Sequence, residues 1–212
     1  ELPVPKRQAL ADFRVGVWFD DPACRVGHDV GAVFRNAVDR IADAGAKIEE
    51  AHPPVDFEAQ LAVFWHMIIA AVAPSLDPSI AEAAGGSHLA WLRAEEERAK
   101  LRAVWAEWFS EYDALLCPVS PRAAFPHDQT AEFLDRTVEI DGETRPYSDL
   151  LGWVGLIGIM ALPSVAAPVG RTAENLPVGI QIVSPYLYER QSIRIAQLIQ
   201  PIVGGYETPP GF

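Results

Sequence analysis

Cysteine and histidine are the residues of this chain that most readily act as nucleophiles, bases or metal ligands. Cys117 ends an apolar segment immediately before Pro118, and no histidine lies near it in the sequence. A cysteine nucleophile requires a base or a positive charge that lowers the pKa of its thiol. A thiol in an apolar segment is more typical of core packing, and we therefore interpret Cys117 as a packing residue.

The histidines do not have the spacing of a metal site. The sequence contains no HExxH motif and no His or Cys ligands paired at short spacing; its histidines are His28, His52, His66, His88 and His127. His127 precedes Asp128, which could orient it as a base, but such neighbours are common in loops and usually have no catalytic role. We expect no metal site.

Motifs that bind cofactors or activate a serine are also missing from the sequence. It contains no Walker motif, no GxGxxG and no GxSxG. The triplet Gly85-Gly86-Ser87 superficially resembles a phosphate-binding or nucleophile loop, but no clear strand precedes it. Ser87 is better explained as the N-cap of the helix that follows, and we expect no cofactor.

The composition is that of a globular protein and excludes several classes of partner. Half of the 212 residues are hydrophobic, and the formal net charge is −12, from 29 acidic and 17 basic residues. A surface of this sign does not attract nucleic-acid phosphates or anionic lipids. The two cysteines, Cys24 and Cys117, cannot build a disulfide framework, so we expect a reducing compartment and a cytoplasmic location.

The N-terminus does not have the pattern of a signal peptide, and the longest apolar run does not have that of a membrane span. The N-terminal residues ELPVPKR lack the cationic-then-apolar order of a signal peptide. The longest apolar run, Leu150 to Ala167, is interrupted by glycines and Pro163 and is shorter than the roughly 20 residues that a bilayer span needs. We expect this run to be buried and the protein not to bind a membrane.

The first third of the chain has the pattern of a βαβ unit. Phe13–Phe19 is rich in β-branched and aromatic residues and predicts a strand. A helical repeat of apolar residues follows, with Asp29 as the expected N-cap and Gly45 as the C-terminal stop. A short strand, Ala46–Glu49, comes next. Strand, helix and strand at this spacing predict parallel pairing.

Two further helices are predicted in the middle of the chain. Phe57–Val72 is so densely apolar that we expect it to be mostly buried. His88–Tyr112 is amphipathic, with Ser87 as its N-cap, and the short apolar segment Ala114–Pro118 predicts a buried strand.

The last third predicts β-structure and a terminal helix. Val138–Arg145 contains an Asp-Gly turn typical of a hairpin. Ser164–Val169 and Val178–Ser184 predict an antiparallel pair, and Tyr188–Ile199 predicts a helix. The fold class expected from these elements is α/β, with a mixed β-sheet flanked by helices. We expect a single domain over residues 1–212, with tails at about 1–12 and 201–212.

The C-terminal region closely resembles the last conserved region of amidase-signature enzymes. The resemblance lies in the sequence ALPSVAAPVGRTAENLPVGIQIVSPYLYERQSIRIAQLIQ, from Ala161 to Gln200. In that family a strand ending in PVG is followed by a short loop, a second strand like GIQIV and a terminal helix. Glu111–Pro121 and Arg14–Pro22 also resemble family segments, in the same order. The resemblance implies the C-terminal part of the amidase-signature fold.

The resemblance also implies an activity, hydrolysis of carbon–nitrogen amide bonds through an acyl-enzyme. The family uses a Ser–cis-Ser–Lys arrangement on a Gly/Ser-rich segment, and that segment lies upstream of everything that aligns here. A serine of this kind needs a base, and a buried lysine can serve once desolvation lowers its pKa. The lysines Lys6, Lys47 and Lys100 do not lie in apolar segments next to two serines. We therefore expect no catalytic residue in this chain and no activity of the chain alone.

Three interpretations of the function remain open. The first is the C-terminal portion of a serine amidase, which would act on a small amide substrate together with the missing N-terminal half. The second is a non-catalytic binding module or subunit that completes a sheet with another chain. The third is an independent hydrolase that uses Cys117 or His127. In the first two cases we expect exposed strand edges, and hence pairing with the missing half or self-association.

Substrate contacts are suggested by the resemblance alone. The segment before the first motif strand borders the acyl-binding cleft in the family, which makes Trp153, Ile157 and Met160 candidates for the wall of that cleft. Plain core packing is the better explanation for each of these residues taken singly.

Overall fold

The computed structural model describes residues 1–5, 7–128 and 133–208. In chain order, these residues form the strands β1 (Arg14–Val17), β2 (Lys47–Glu50), β3 (Ala114–Pro118), β4 (Thr137–Ile140), β5 (Glu143–Pro146), β6 (Ser164–Arg171) and β7 (Pro177–Val183). They also form the helices α1 (His28–Asp43), α2 (Phe57–Val72), α3 (Pro78–Gly85), α4 (His88–Glu111), α5 (Gly152–Gly158) and α6 (Glu189–Val203).

A five-stranded mixed sheet in the order β2-β1-β3-β7-β6 organises the described residues. β1 pairs in parallel with both β2 and β3, which confirms the predicted βαβ unit. β7 runs antiparallel to β3 and to β6, so the predicted antiparallel pair is also confirmed. β4 and β5 form a separate hairpin. The predicted α/β class with a mixed sheet flanked by helices is therefore confirmed.

Each face of the sheet is covered by its own set of helices. On one face, Val15, Val17 and Leu116 of the sheet pack against Phe34 and other apolar residues of α1 and α6. On the other face, Leu115 and Cys117 pack against α4, α5 and the start of α2. Because side chains alternate along a strand, β3 is fully buried and contributes to both cores.

The predicted N-cap of α1 is wrong by two residues. The N-cap is Gly27, and Asp29 lies inside the first turn, where its Oδ1 accepts a hydrogen bond from its neighbour Val30. The N–H of His28 instead donates to the carboxylate of Asp141, at 3.0 and 3.1 Å from the two oxygens. Asp141 belongs to the turn between β4 and β5, so part of the negative charge that favours this helix end comes from a distant part of the chain, in addition to that of Asp29.

The bounds predicted for α2 are confirmed, but the prediction that the helix is mostly buried is wrong. Only Phe57, Gln60 and Met67 are buried, whereas Ile68, Ile69 and Val72 are exposed. Residues 57–75 are long and apolar enough to span a bilayer, with a mean hydropathy of 1.4, and one such helix is weak evidence for a membrane. A high apolar content alone therefore does not report which faces of a helix have neighbours.

Several local predictions are confirmed. Ser87 caps α4, since its Oγ accepts a hydrogen bond from the N–H of Ala90. Asp141 and Gly142 both have positive φ in the hairpin turn, as the Asp-Gly sequence predicts. α3 was not predicted, because Pro78 and Gly86 suggested a break, whereas Pro78 occupies the first turn, where a helix tolerates proline.

Gly16 allows β1 to lie against α4. A Cβ at this position would lie 2.5 Å from the Trp108 ring and 2.6 Å from the carbonyl oxygen of Ala51. The first neighbour is a packed aromatic ring and the second is backbone, so neither can move easily. The close approach of β1 to α4 therefore requires that residue 16 has no side chain.

We expect Gly16→Ala to lower the free energy of unfolding by about 1–3 kcal/mol, as other overpacked cores do. The measurement is urea unfolding followed by circular dichroism. Gly31→Ala in α1 is the matched control, since nothing lies within 4 Å of its Cβ position and alanine is the better helix former. Equal stability of the Gly16→Ala variant and the unmodified protein would contradict this account.

Candidate functional site

A cavity of about 610 Å³ lies between α4 and the segment that leads into α6. Its apolar wall is formed by Trp105 and Phe109 of α4, by Met160 and Leu162 after α5, and by Tyr186 before α6. The volume is within the range of about 300–1,000 Å³ typical of small-molecule sites. The cavity is therefore large enough for a small organic ligand.

The Trp105 wall is held in place by a buried hydrogen-bonded side chain. Gln60 of α2 is fully buried, and its Oε1 accepts a hydrogen bond of 3.0 Å from Trp105 Nε1. Its Nε2 donates to the carbonyl oxygen of Leu156 in α5, at 2.6 Å. One amide thus joins α2, α4 and α5, and the orientation of the Trp105 ring depends on it.

The polar end of the cavity contains Arg102, Asp113 and Gln191. The guanidinium of Arg102 lies 4.7 Å from the ring centroid of Tyr186. The carboxylate of Asp113 accepts hydrogen bonds of 2.8 Å from Arg7 Nε and from the backbone N–H of Arg14. Gln191 is buried, and its Nε2 donates to the carbonyl oxygen of Asp113 at 2.6 Å. Asp113 is thus an anchor for neighbouring chain segments rather than a free base.

A charged network lies next to this end of the cavity. Arg14 donates to both carboxylate oxygens of Glu49, at 2.9 and 3.1 Å, and this bond lowers the pKa of Glu49. The hydroxyl of Tyr112 also donates to Glu49, at 2.9 Å. Burial, followed by the bond to Glu49, raises the pKa of Tyr112. Tyr112 is therefore a neutral hydrogen-bond donor at physiological pH.

The three residues predicted for the substrate wall are all buried, with exposed fractions of 0% for Trp153, 1% for Ile157 and 0% for Met160. Met160 lines the cavity. Trp153 packs edge-on against Trp18 and donates to the carbonyl oxygen of Cys24 at 3.1 Å. Ile157 belongs to the same core. Contact of these residues with a substrate remains a prediction.

The two thiols lie in the core. Cys117 is fully buried, and desolvation raises the pKa of its thiol well above the ordinary value. Desolvation likewise raises the pKa of Cys24 to about 11. Both thiols are protonated at neutral pH, so Cys117 is a packing residue, as predicted. His127 lines a separate cavity of about 350 Å³ with Asp128 and Tyr147.

Arg102 and Gln191 were missed in the sequence. Each lies in a helix that contains many other polar residues, and the two helices are far apart in the chain. Only the antiparallel return of β7 alongside β3 brings the start of α6 next to α4. No local sequence signal marks this pair.

Comparisons with known proteins agree with the fold and the sequence motifs. The family described as Amidase matches residues 73–193, which is more than half of the chain. A glutamyl-tRNA(Gln) amidotransferase subunit from Exiguobacterium sp. strain AT1b is 33% identical over 118 residues. A solved structure described as an amidase superimposes with a TM-score of 0.76 at 22% identity, and 6-aminohexanoate cyclic dimer hydrolase with a TM-score of 0.72 at 18% identity.

The mixed α/β architecture is thus that of the amidase-signature enzymes. The chain belongs to the amidase family. The chain spans about half the length of these solved structures. The superposition on the amidase covers 96% of this chain and 48% of the amidase, and that on the cyclic dimer hydrolase covers 95% of this chain and 49% of the hydrolase. The match to the Exiguobacterium protein covers 55% of this chain and 22% of the relative.

We expect Gln60→Met to lower the free energy of unfolding by about 2–4 kcal/mol, because it leaves the Trp105 N–H and the Leu156 carbonyl buried without a partner. Urea unfolding measures the change, and near-ultraviolet circular dichroism reports the tryptophan environment. The exposed Gln197→Met in α6 is the control. If both variants were equally stable, Gln60 would not be the structural link described here.

Proposed function

We propose that this chain is the C-terminal portion of a serine amidase, which hydrolyses carbon–nitrogen amide bonds through an acyl-enzyme, and that it is inactive alone. The match of residues 73–193 to the amidase family is the observation that carries the proposal. The nucleophile, its base and the oxyanion hole would come from a segment with the Gly/Ser-rich signature. This chain would supply part of the substrate cavity.

The described lysines support the proposal that the base lies elsewhere. A lysine base needs a desolvated site that lowers its pKa. Lys47 is exposed in β2. Lys100 lies 2.7 Å from Glu97 and 3.4 Å from Glu96, and the bond to Glu97 raises its pKa, which is the wrong direction for a base. Lys6 lies outside the described residues.

The edge of the sheet supports the proposal of a partner segment. β6 is the last strand in the sheet of the described residues, and Ser164, Ala166 and Pro168 are exposed along it. A cavity of about 380 Å³ beside the start of β6 is lined by Glu189 and Ser192. Glu189 Oε2 and Ser192 Oγ are buried and have no hydrogen-bond partner among the described residues. A strand added at this edge would extend the sheet, and an N–H donor on it would give these two oxygens a hydrogen-bond partner.

The same free edge also supports the alternative function, a non-catalytic module that completes a sheet with another chain. The two candidates differ in what the joined assembly does. An amidase portion gains hydrolytic activity when it is joined to the signature segment, whereas a binding module does not. The activity of the chain alone and of its longer form therefore separates them.

We expect the purified 212-residue chain to hydrolyse simple amides no faster than buffer. The test expresses it with the coding sequence that precedes it in the gene, which we expect to encode the signature segment in frame and to produce amidase activity. Replacing the signature lysine by alanine is the negative control. An upstream stop codon would favour the binding module, and turnover by the chain alone that is lost in Cys117→Ala would overturn the proposal.

We expect the chain alone to self-associate through β6 at high concentration, because an unpaired edge strand binds other edges. Sedimentation velocity over a concentration series measures this. Ala166→Lys places a charge on the exposed strand and should reduce association, whereas Ala32→Lys on the exposed face of α1 should not. A monomer at all concentrations, or equal effects of the two substitutions, would contradict an edge-mediated contact.

A further inference from the structure

Arg102 is a partly buried arginine without a carboxylate partner among the described residues. Two neighbouring arginines do have one, since Arg14 pairs with Glu49 and Arg98 pairs with Glu95. Arg102 instead lies over the Tyr186 ring and lines the 610 Å³ cavity. A guanidinium binds a carboxylate through two parallel hydrogen bonds, and the aromatic ring that supports it fixes its orientation. Arg102 therefore provides an acceptor-binding group at the polar end of the cavity.

Gln191 provides the complementary group. Its side chain is 2% exposed, and its Nε2 must face the Asp113 carbonyl, because a carbonyl oxygen only accepts. Oε1 is thereby directed elsewhere, and it has no hydrogen-bond partner among the described residues. A buried acceptor without a partner is destabilising. A ligand with an N–H group would satisfy it.

The remaining lining residues define the rest of the ligand. Trp105, Phe109, Met160 and Leu162 offer an apolar and aromatic surface. Asp113 is the acidic residue of the lining, and its carboxylate is already engaged by Arg7 and Arg14. A cationic amine would therefore be repelled by Arg102 and would find no available carboxylate in the lining.

We propose that this cavity binds an N-acyl amino acid: a carboxylate for Arg102, an amide N–H for Gln191 Oε1, and an apolar or aromatic acyl group against Trp105 and Phe109. A phosphate also matches the guanidinium fork, but phenyl phosphate has no N–H and would leave the Gln191 acceptor without a partner. The inference rests on the proposed function only in treating the bound amide as a substrate. Binding itself requires none of the catalytic residues.

The experiment measures binding to the 212-residue chain by titration calorimetry and by quenching of tryptophan fluorescence. The probes are N-benzoylglycine, its neutral amide N-benzoylglycinamide, the N-methylated acid, and phenyl phosphate. We expect N-benzoylglycine to bind at least tenfold more tightly than the neutral amide, and at least fivefold more tightly than the N-methylated acid. Phenyl phosphate is expected to bind at least tenfold more weakly.

Variants assign each preference to one side chain. Arg102→Gln should abolish the preference for acid over amide, and Gln191→Leu should abolish the preference for N–H over N-methyl. Arg93→Gln, an exposed position on the same helix, should change neither. Because the readout is a ratio between two probes, modest destabilisation of a variant does not imitate it. If Gln191→Leu does not fold, the N-methyl comparison in the unmodified chain still tests the N–H requirement.

Three results would overturn the assignment. They are no binding of any probe, equal binding of acid and amide by the unmodified chain, and binding of phenyl phosphate as tight as that of N-benzoylglycine. Since no hydrolysis is measured, failure here leaves the proposed amidase function untouched. Conversely, inactivity of the longer form would leave the binding ratios unchanged.

Discussion

The buried amide of Gln60 is the interaction on which the core between the sheet and the helices α2, α4 and α5 depends. It is the point where α2, α4 and α5 meet, and both ends of the side chain have a partner. A buried polar group of this kind contributes little net stability when it is satisfied, but it specifies one arrangement of its neighbours. The position of α4 against the sheet, and hence the wall of the cavity, follows from that arrangement. The exposed apolar side of α2 plays no part in it.

The fold could be read from the sequence wherever short-range chemistry determines the structure. Ser87 was recognised because a cap acts on the residues that follow it directly, and the Asp141-Gly142 turn because its φ angles favour these residues. The N-cap of α1 was placed at Asp29 because the true partner, Asp141, lies on a distant hairpin. The burial of α2 was overestimated for a related reason, since apolar content reports a tendency to be buried but not the neighbours that are present.

The sequence predicts less of the candidate site than of the fold. The resemblance of the C-terminal motif identified the lineage, and the family match over residues 73–193 agrees with it. The resemblance also predicts a substrate wall around Trp153 and Met160. Of these two residues, only Met160 lines the cavity. Arg102 and Gln191 could be identified only in three dimensions. Within the described part of the chain, Gln191 Oε1 has no hydrogen-bond partner and Arg102 has no carboxylate partner, and no sequence pattern records a missing partner.

The geometry of β6 limits how another strand could pair with this edge of the sheet. Pro168 has no backbone N–H, and the pairing of β6 with β7 shifts register between Pro168 and Gly170. Regular pairing along the outer edge is therefore confined to the few residues before this proline. Pairing through so short a stretch of main chain depends more on the length and register of the added strand than on the identity of its side chains. The strand that we propose to pair with β6 could therefore vary widely in its side chains, but the insertion of one residue in it would shift its register.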